Sequence, residues 1–125
     1  MNRTKSLPPV FLAITTLLAQ DVMKVASDTH TVILENANVR VLDVRLKPGE
    51  KIVMHSHPAS VVYFLTDAKF KFTFPDGKTQ EAGANAGTAI WRDAVTHAVD
   101  NVGTTEAHFV QTEQKAEGKT STPSK

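Results

Sequence analysis

Residues 69–82 read KFKFTFPDGKTQEA, and this stretch limits the fold more than any other. Phe70, Phe72 and Phe74 alternate with Lys69, Lys71 and Thr73, the period of two that turns one side of a strand to a core and the other to water. Pro75-Asp76-Gly77 follows at once. Proline presets φ for a turn and glycine accepts positive φ, so the chain is predicted to reverse there and pair with KTQEA. The same grammar recurs along the middle of the chain. NVRVLDVRL (38–46) places Leu42, Val44 and Leu46 on one face and ends at Pro48-Gly49. KIVMHSH, SVVYFL, TAIW, THAVDN and AHFVQT are further short runs bounded by turn residues. About eight such strands and no convincing internal helix predict an all-β fold, a sandwich or small antiparallel β-barrel.

The two ends read differently. MNRTKS carries Arg3 and Lys5 and no acid, and VFLAITTLLA (10–19) follows it, the charge order and apolar length of a signal peptide. That run is too short for a bilayer, which takes about 20 apolar residues. Residues 1–19 are therefore expected to be a signal peptide cut after Ala19, with Val25-Ala26-Ser27 as a second possible site. The mature protein is then expected to be periplasmic or secreted, with no membrane span. Residues 20–37 are expected to form an N-terminal extension and first strand, residues 38–111 the barrel, and residues 112–125, TEQKAEGKTSTPSK, a disordered tail too polar to offset its own ordering.

A chain of 125 residues holds one core. Its formal net charge is +1, or 12 basic against 13 acidic residues once the leader is gone, and no stretch concentrates Lys or Arg, so a nucleic-acid partner is not expected. The absence of cysteine excludes disulfides, thiolate ligands and a cysteine nucleophile. A metal would have to be held by histidine, carboxylate, amide or water.

His55 and His57 stand at i and i+2 and are predicted to share one strand face with Val53, leaving Met54 and Ser56 on the reverse. A lone His-x-His pair is also common on solvated sheets. Here Gly49 opens the strand, His97 follows forty residues after His57, and Asn101 comes four later. With these residues the chain resembles the cupin superfamily, small antiparallel jelly rolls. The family's first motif runs Gly, five residues, His-x-His, three or four residues, Glu, six residues, Gly; its second runs Gly, five residues, Pro-x-Gly, two residues, His, three residues, Asn. Gly49, His55 and His57 match the first, and Gly87, His97 and Asn101 the second. The first-motif glutamate falls on Val61 or Val62, and its closing glycine on Ala68. Asp93 and Val95 stand for Pro and Gly in the second motif, and Gly87 to His97 is one residue short.

The resemblance implies a metal site of His55, His57 and His97 without the carboxylate, holding a divalent transition metal: Fe, Mn, Ni, Cu or Zn, since each accepts imidazole. Three neutral imidazoles leave the ion's +2 charge uncompensated, so its open positions should attract a small anionic organic molecule. Oxygenase or isomerase chemistry on such a molecule is one expectation. A non-catalytic ligand-binding cupin and a structural cupin without metal are the alternatives, and a homodimer through sheet edges is expected of all three. No catalytic residue beyond the ligands is assigned. Tyr63, Phe72, Trp91 and Gln111 are candidate wall residues, with Gln111 a candidate fourth ligand. Arg92 and Asp93 lie on the approach to His97. His30 and His108 match no motif position, and Glu35 and Glu50 read as solvated charges.

Overall fold

The computed structural model describes residues 20–115, so the signal-peptide segment and residues 116–125 of the expected tail lie outside the described residues. A short helix, α1 (Val22–Val25), precedes nine strands: β1 (His30–Glu35), β2 (Val39–Leu46), β3 (Lys51–His57), β4 (Ser60–Phe64), β5 (Ala68–Thr73), β6 (Thr79–Ala84), β7 (Ala89–Arg92), β8 (Val95–Asn101) and β9 (Ala107–Gln114). They form two antiparallel sheets, ordered β1-β2-β9-β4-β7 and β3-β8-β5-β6, the jelly roll that the turn grammar predicts.

The alternation read from sequence becomes the core. Leu42, Val44 and Leu46 of β2 are fully buried beside Val62, Phe64 and Phe109 of the same sheet, and Phe70, Phe72 and Val99 close on them from the facing sheet. The β5–β6 hairpin turns where expected. Gly77 has φ of 84°, its amide donates to the Phe74 carbonyl (2.9 Å), and the Asp76 carboxylate accepts from the Lys78 amide (2.9 Å). Asn101, buried at the end of β8, donates through Nδ2 to the carbonyls of Leu46 (2.8 Å) and Thr105 (3.0 Å) and accepts from the Gly103 amide (2.9 Å). Its motif position thus fastens two connections of the barrel.

One expectation is sharpened and two need correction. The strands number nine among the described residues, and a helical turn precedes them: Asp21 caps α1 by accepting from the Met23 amide (2.8 Å), and Val22 is fully buried. The barrel does not stop at 111, because Thr112, Glu113 and Gln114 complete β9 opposite Val41, Arg40 and Val39. Third, β3 is not a regular strand. Its pairing with β8 slips by one residue between Ile52 and His55, so Ile52 and His55 both point inward while Val53 is 51 % exposed rather than beside the histidines. Such a bulge re-aims the side chains that follow it.

The flanks of the two sheets differ. On one, residues 20–30 cross from the edge of β3, where the Ser56 amide donates to the Gln20 carbonyl (3.0 Å), to the start of β1. On the other, β6 and β7 are the outer strands of their sheets and share no ladder. A groove of about 690 Å³ opens there, lined by residues that include Ala82, Ala84 and Ile90.

Candidate metal centre

The β3 bulge brings His55 directly opposite His97 on β8, and the strand's period adds His57 on the same side. All three are buried, 1 to 5 % exposed. Ring centroids lie 4.6 Å apart for His55–His57, 5.0 Å for His55–His97 and 6.0 Å for His57–His97, and one candidate ligand atom from each falls within 4.8 Å of the others. The sequence's three histidines therefore converge. Among the described residues no carboxylate joins them.

Each ring is oriented by what its Nδ1 meets. His55 Nδ1 lies 2.6 Å from the Val53 carbonyl, which can only accept, so Nδ1 carries the proton and Nε2 is left for the cavity. His57 Nδ1 lies 2.6 Å from Glu113 Oε2, with the same consequence. His97 Nδ1 is the one buried side-chain nitrogen or oxygen without a hydrogen-bond partner among the described residues. Burial, the largest cause, pushes the His55 imidazole down to about 4 against the opposing hydrogen bond to Val53, and it pushes that of His97 down to about 3, where the Arg92 guanidinium also contributes. Both rings are thus neutral at pH 7, the form that binds metal. Neutral imidazoles with open nitrogens around a space of about 30 Å³ fit a divalent transition-metal ion with a water-sized group beside it.

Phe72 and Gln111 line this inner cavity as expected. Gln111 donates through Nε2 to Ser60 Oγ (3.0 Å) and stands opposite Val62 in the β4–β9 ladder. Val62 is buried and lines the cavity whereas Val61 is 40 % exposed, so Val62 holds the place of the missing glutamate. Tyr63 and Trp91 are not wall residues: they are 43 and 53 % exposed on the outer face. Asp93 is exposed as well and accepts from Trp91 Nε1 (3.0 Å). Arg92 does reach inward. Its guanidinium lies 4.4 Å from the centre of the Phe72 ring, which in turn stacks on His97 (5.1 Å, 16°). Burial lowers its pKa, and among the described residues no acidic partner opposes this. Arg92, Phe64, Phe70 and Phe72 line both the inner cavity and the outer groove, so the two spaces are adjacent.

Two residues passed over in the sequence also belong to this neighbourhood. His30 is 2 % exposed and walls the cavity, its ring 6.4 and 6.3 Å from those of His55 and His57. Its Nδ1 is within hydrogen-bond reach of Thr29 Oγ1 (2.8 Å) and the Ala26 carbonyl (3.1 Å), and it stays outside the three-histidine group. Glu113, assigned to the tail, is 2 % exposed and joins His57 to Arg40, which also holds Asp21 (2.9 Å). The signal was present: Ala107, Phe109 and Gln111 mark the inward parity of β9, and Glu113 continues it. His108 pairs with Asp43 on the outer face (2.7 Å), and Glu35 and Glu50 make only exposed contacts.

No protein-family model matches the chain. The β-alanine degradation protein BauB of Pseudomonas aeruginosa is 39 % identical over 87 residues, which span 68 % of this chain and 90 % of that protein. A cupin domain protein of Bordetella pertussis superimposes with a TM-score of 0.64 at 31 % identity, over 70 % of this chain and 92 % of that one. An RmlC-like cupin with a double-stranded β-helix fold from Methanocaldococcus jannaschii gives a TM-score of 0.56 at 12 % identity, over 73 and 82 % of the two chains.

Proposed function

The chain belongs to the cupin superfamily, and from that premise and its ring of buried imidazoles we propose a metal-dependent small cupin that binds and transforms a small carboxylate. The observation that carries this reading is the convergence of His55, His57 and His97, with open nitrogens and no carboxylate among them. A divalent transition metal held there supplies a Lewis-acid centre whose charge three neutral ligands leave uncompensated, with open positions for an anion. Oxygenase or isomerase chemistry is the reaction class proposed for it.

The chain's own residues do the rest. Phe64, Phe70, Phe72 and Val62 exclude bulk water, which strengthens any charge interaction inside. Arg92, charged and without an acidic partner among the described residues, stands where the groove meets the inner cavity and would hold a carboxylate as it enters. The inner cavity takes only a head group, and the body of the molecule would lie along the apolar wall of the groove. The relative's name connects that protein with breakdown of β-alanine, a small molecule carrying a carboxylate, which accords with this choice of ligand. We further propose export by residues 1–19, and a homodimer formed over the β1 edge, where Val32, Ile33 and Leu34 are exposed.

Metal analysis of the purified, untagged protein after reconstitution tests the centre: about one equivalent is expected, and less than about a tenth removes the proposal. A second reading, a binding cupin without chemistry, draws on the lack, among the described residues, of a carboxylic acid at the inner cavity's wall. Small carboxylates that bind and are recovered unchanged would favour it.

A further inference from the structure

The strongest unassigned feature is a buried run of charge behind His57. Glu113 Oε2 lies 2.6 Å from His57 Nδ1. Its Oε1 accepts from Arg40 Nε (2.7 Å) and lies 2.6 Å from Arg40 Nη2, which also reaches Asp21 (2.9 Å). His57 and Glu113 are 4 and 2 % exposed at their side chains, and Arg40 is 14 % exposed. Arg40 donates to one Glu113 oxygen and the other faces His57 Nδ1, so His57 Nδ1 is the donor of that pair. His57 is then held with Nε2 toward the inner cavity.

We infer that Glu113 is the positioning carboxylate of this centre, acting on a bound cation through His57. The inference rests on the metal reading above. The carboxylate absent at Val62 has a counterpart one imidazole away: Glu113 fixes the tautomer and direction of His57 and raises its basicity as a ligand. Arg40 and Asp21 hold Glu113 in turn, so the N-terminal segment, seated on β3 through Gln20 and Asp21, is mechanically joined to one ligand of the ion.

The test compares the full chain with Glu113→Gln and with Asp43→Asn, which removes the matching His108–Asp43 pair on the outer face (2.7 Å). Zinc affinity is read by competition with a chromophoric chelator, and the His57 tautomer by nitrogen chemical shifts in the ion-free protein. Glu113→Gln is expected to weaken zinc binding by about 10- to 100-fold and to mix the His57 tautomers. Asp43→Asn should change neither. Glu113→Asp, which keeps the charge, should recover part of the affinity. If Glu113→Gln does not fold, Arg40→Gln with Glu113→Gln removes both charges together and carries the same comparison. An affinity within about threefold of wild type, with the His57 tautomer unchanged, overturns the inference and makes the pair purely structural. A wild-type protein that takes up no zinc, cobalt or iron overturns the metal reading instead, and the tautomer alone then decides what Glu113 does to His57.

Discussion

His55 and His97 face each other across the β3–β8 ladder with ring centroids 5.0 Å apart, although forty-two positions separate them in the chain. They meet because β3 slips one residue against β8 just before His55, and the carbonyl at that slip, Val53, accepts the His55 Nδ1 proton. One backbone irregularity therefore aims a ligand and fixes its tautomer. A cation bound by this pair and His57 ties two strands together, and it does so only in the folded state.

Metal should accordingly stabilise the fold. At a free concentration about 100 times its dissociation constant, a bound ion adds about 2.7 kcal/mol. For a domain of this size that raises the melting temperature by about 10 °C or more. His97→Ala and His55→Ala should abolish the rise, and a chelator should reverse it in wild type. A metal-induced shift of equal size in His97→Ala would remove His97 from the centre.

Mild acid should destabilise the ion-free protein through its buried histidines. Burial is the first cause of the low values of His30 and His55, about 4, and of His97, about 3, whereas each returns to about 6.5 when unfolded. Between those limits the unfolded chain binds protons that the folded chain does not, so stability rises with pH across the window and falls as pH drops from about 6.5 toward 4. Each ring contributes at most about 1.4 kcal/mol per pH unit. Urea unfolding at pH 7, 6 and 5 measures it, and a midpoint constant over that range would contradict the burial of these rings.

Replacing Arg92 by Met should weaken binding of small carboxylates by about 10- to 100-fold, the range expected for one charged hydrogen bond. Affinity for the matching amides should barely change. Calorimetric titration of the two ligand series makes the comparison, and an equal loss for acids and amides would mean that Arg92 shapes the wall without reading charge.

Val62→Glu offers a carboxylate to the ion from β4. Without metal it buries an unpaired acid, so the ion-free variant should be less stable by several kcal/mol. With metal the deficit should shrink or vanish, and anion affinity should fall because the ion's net charge drops to +1. Paired melting curves with and without zinc report both, and a deficit unaffected by metal would place position 62 out of reach.

Chains that begin at Gln20 and at Ser27 should differ in stability. The shorter one lacks Val22, fully buried, and Asp21, which pairs with Arg40. Loss of Val22 alone removes about 1.5–3 kcal/mol of burial. Chemical denaturation of the two is the measurement. Equal midpoints would show that α1 adds nothing, and would leave cleavage near Ala26 as acceptable to the fold as cleavage near Ala19.

Much of this was legible in the residues. Phe70 and Phe72, Leu42, Val44 and Leu46 announce their buried face by alternation, and the resemblance of the segments around His55, His57 and His97 to the cupin motifs implies that these three meet. The β3 bulge was not, since a slip in pairing belongs to two strands at once and leaves no mark in either. Val53 was therefore misplaced. Glu113 escaped because a buried ion pair has none of the apolar signal by which a strand is told from a tail. Tyr63 and Trp91 misled for the opposite reason: aromatic residues suit either face of a strand, and these two lie outside.

The unequal flanks set how the molecule breathes. Where residues 20–30 lace one sheet to the other, opening must break a backbone bond at Ser56 and the Asp21–Arg40 pair. Between β6 and β7 there is no ladder to break. The unbound margin beside Arg92, where the groove adjoins the inner cavity, is therefore the side on which a way to the histidines breaks the fewest bonds.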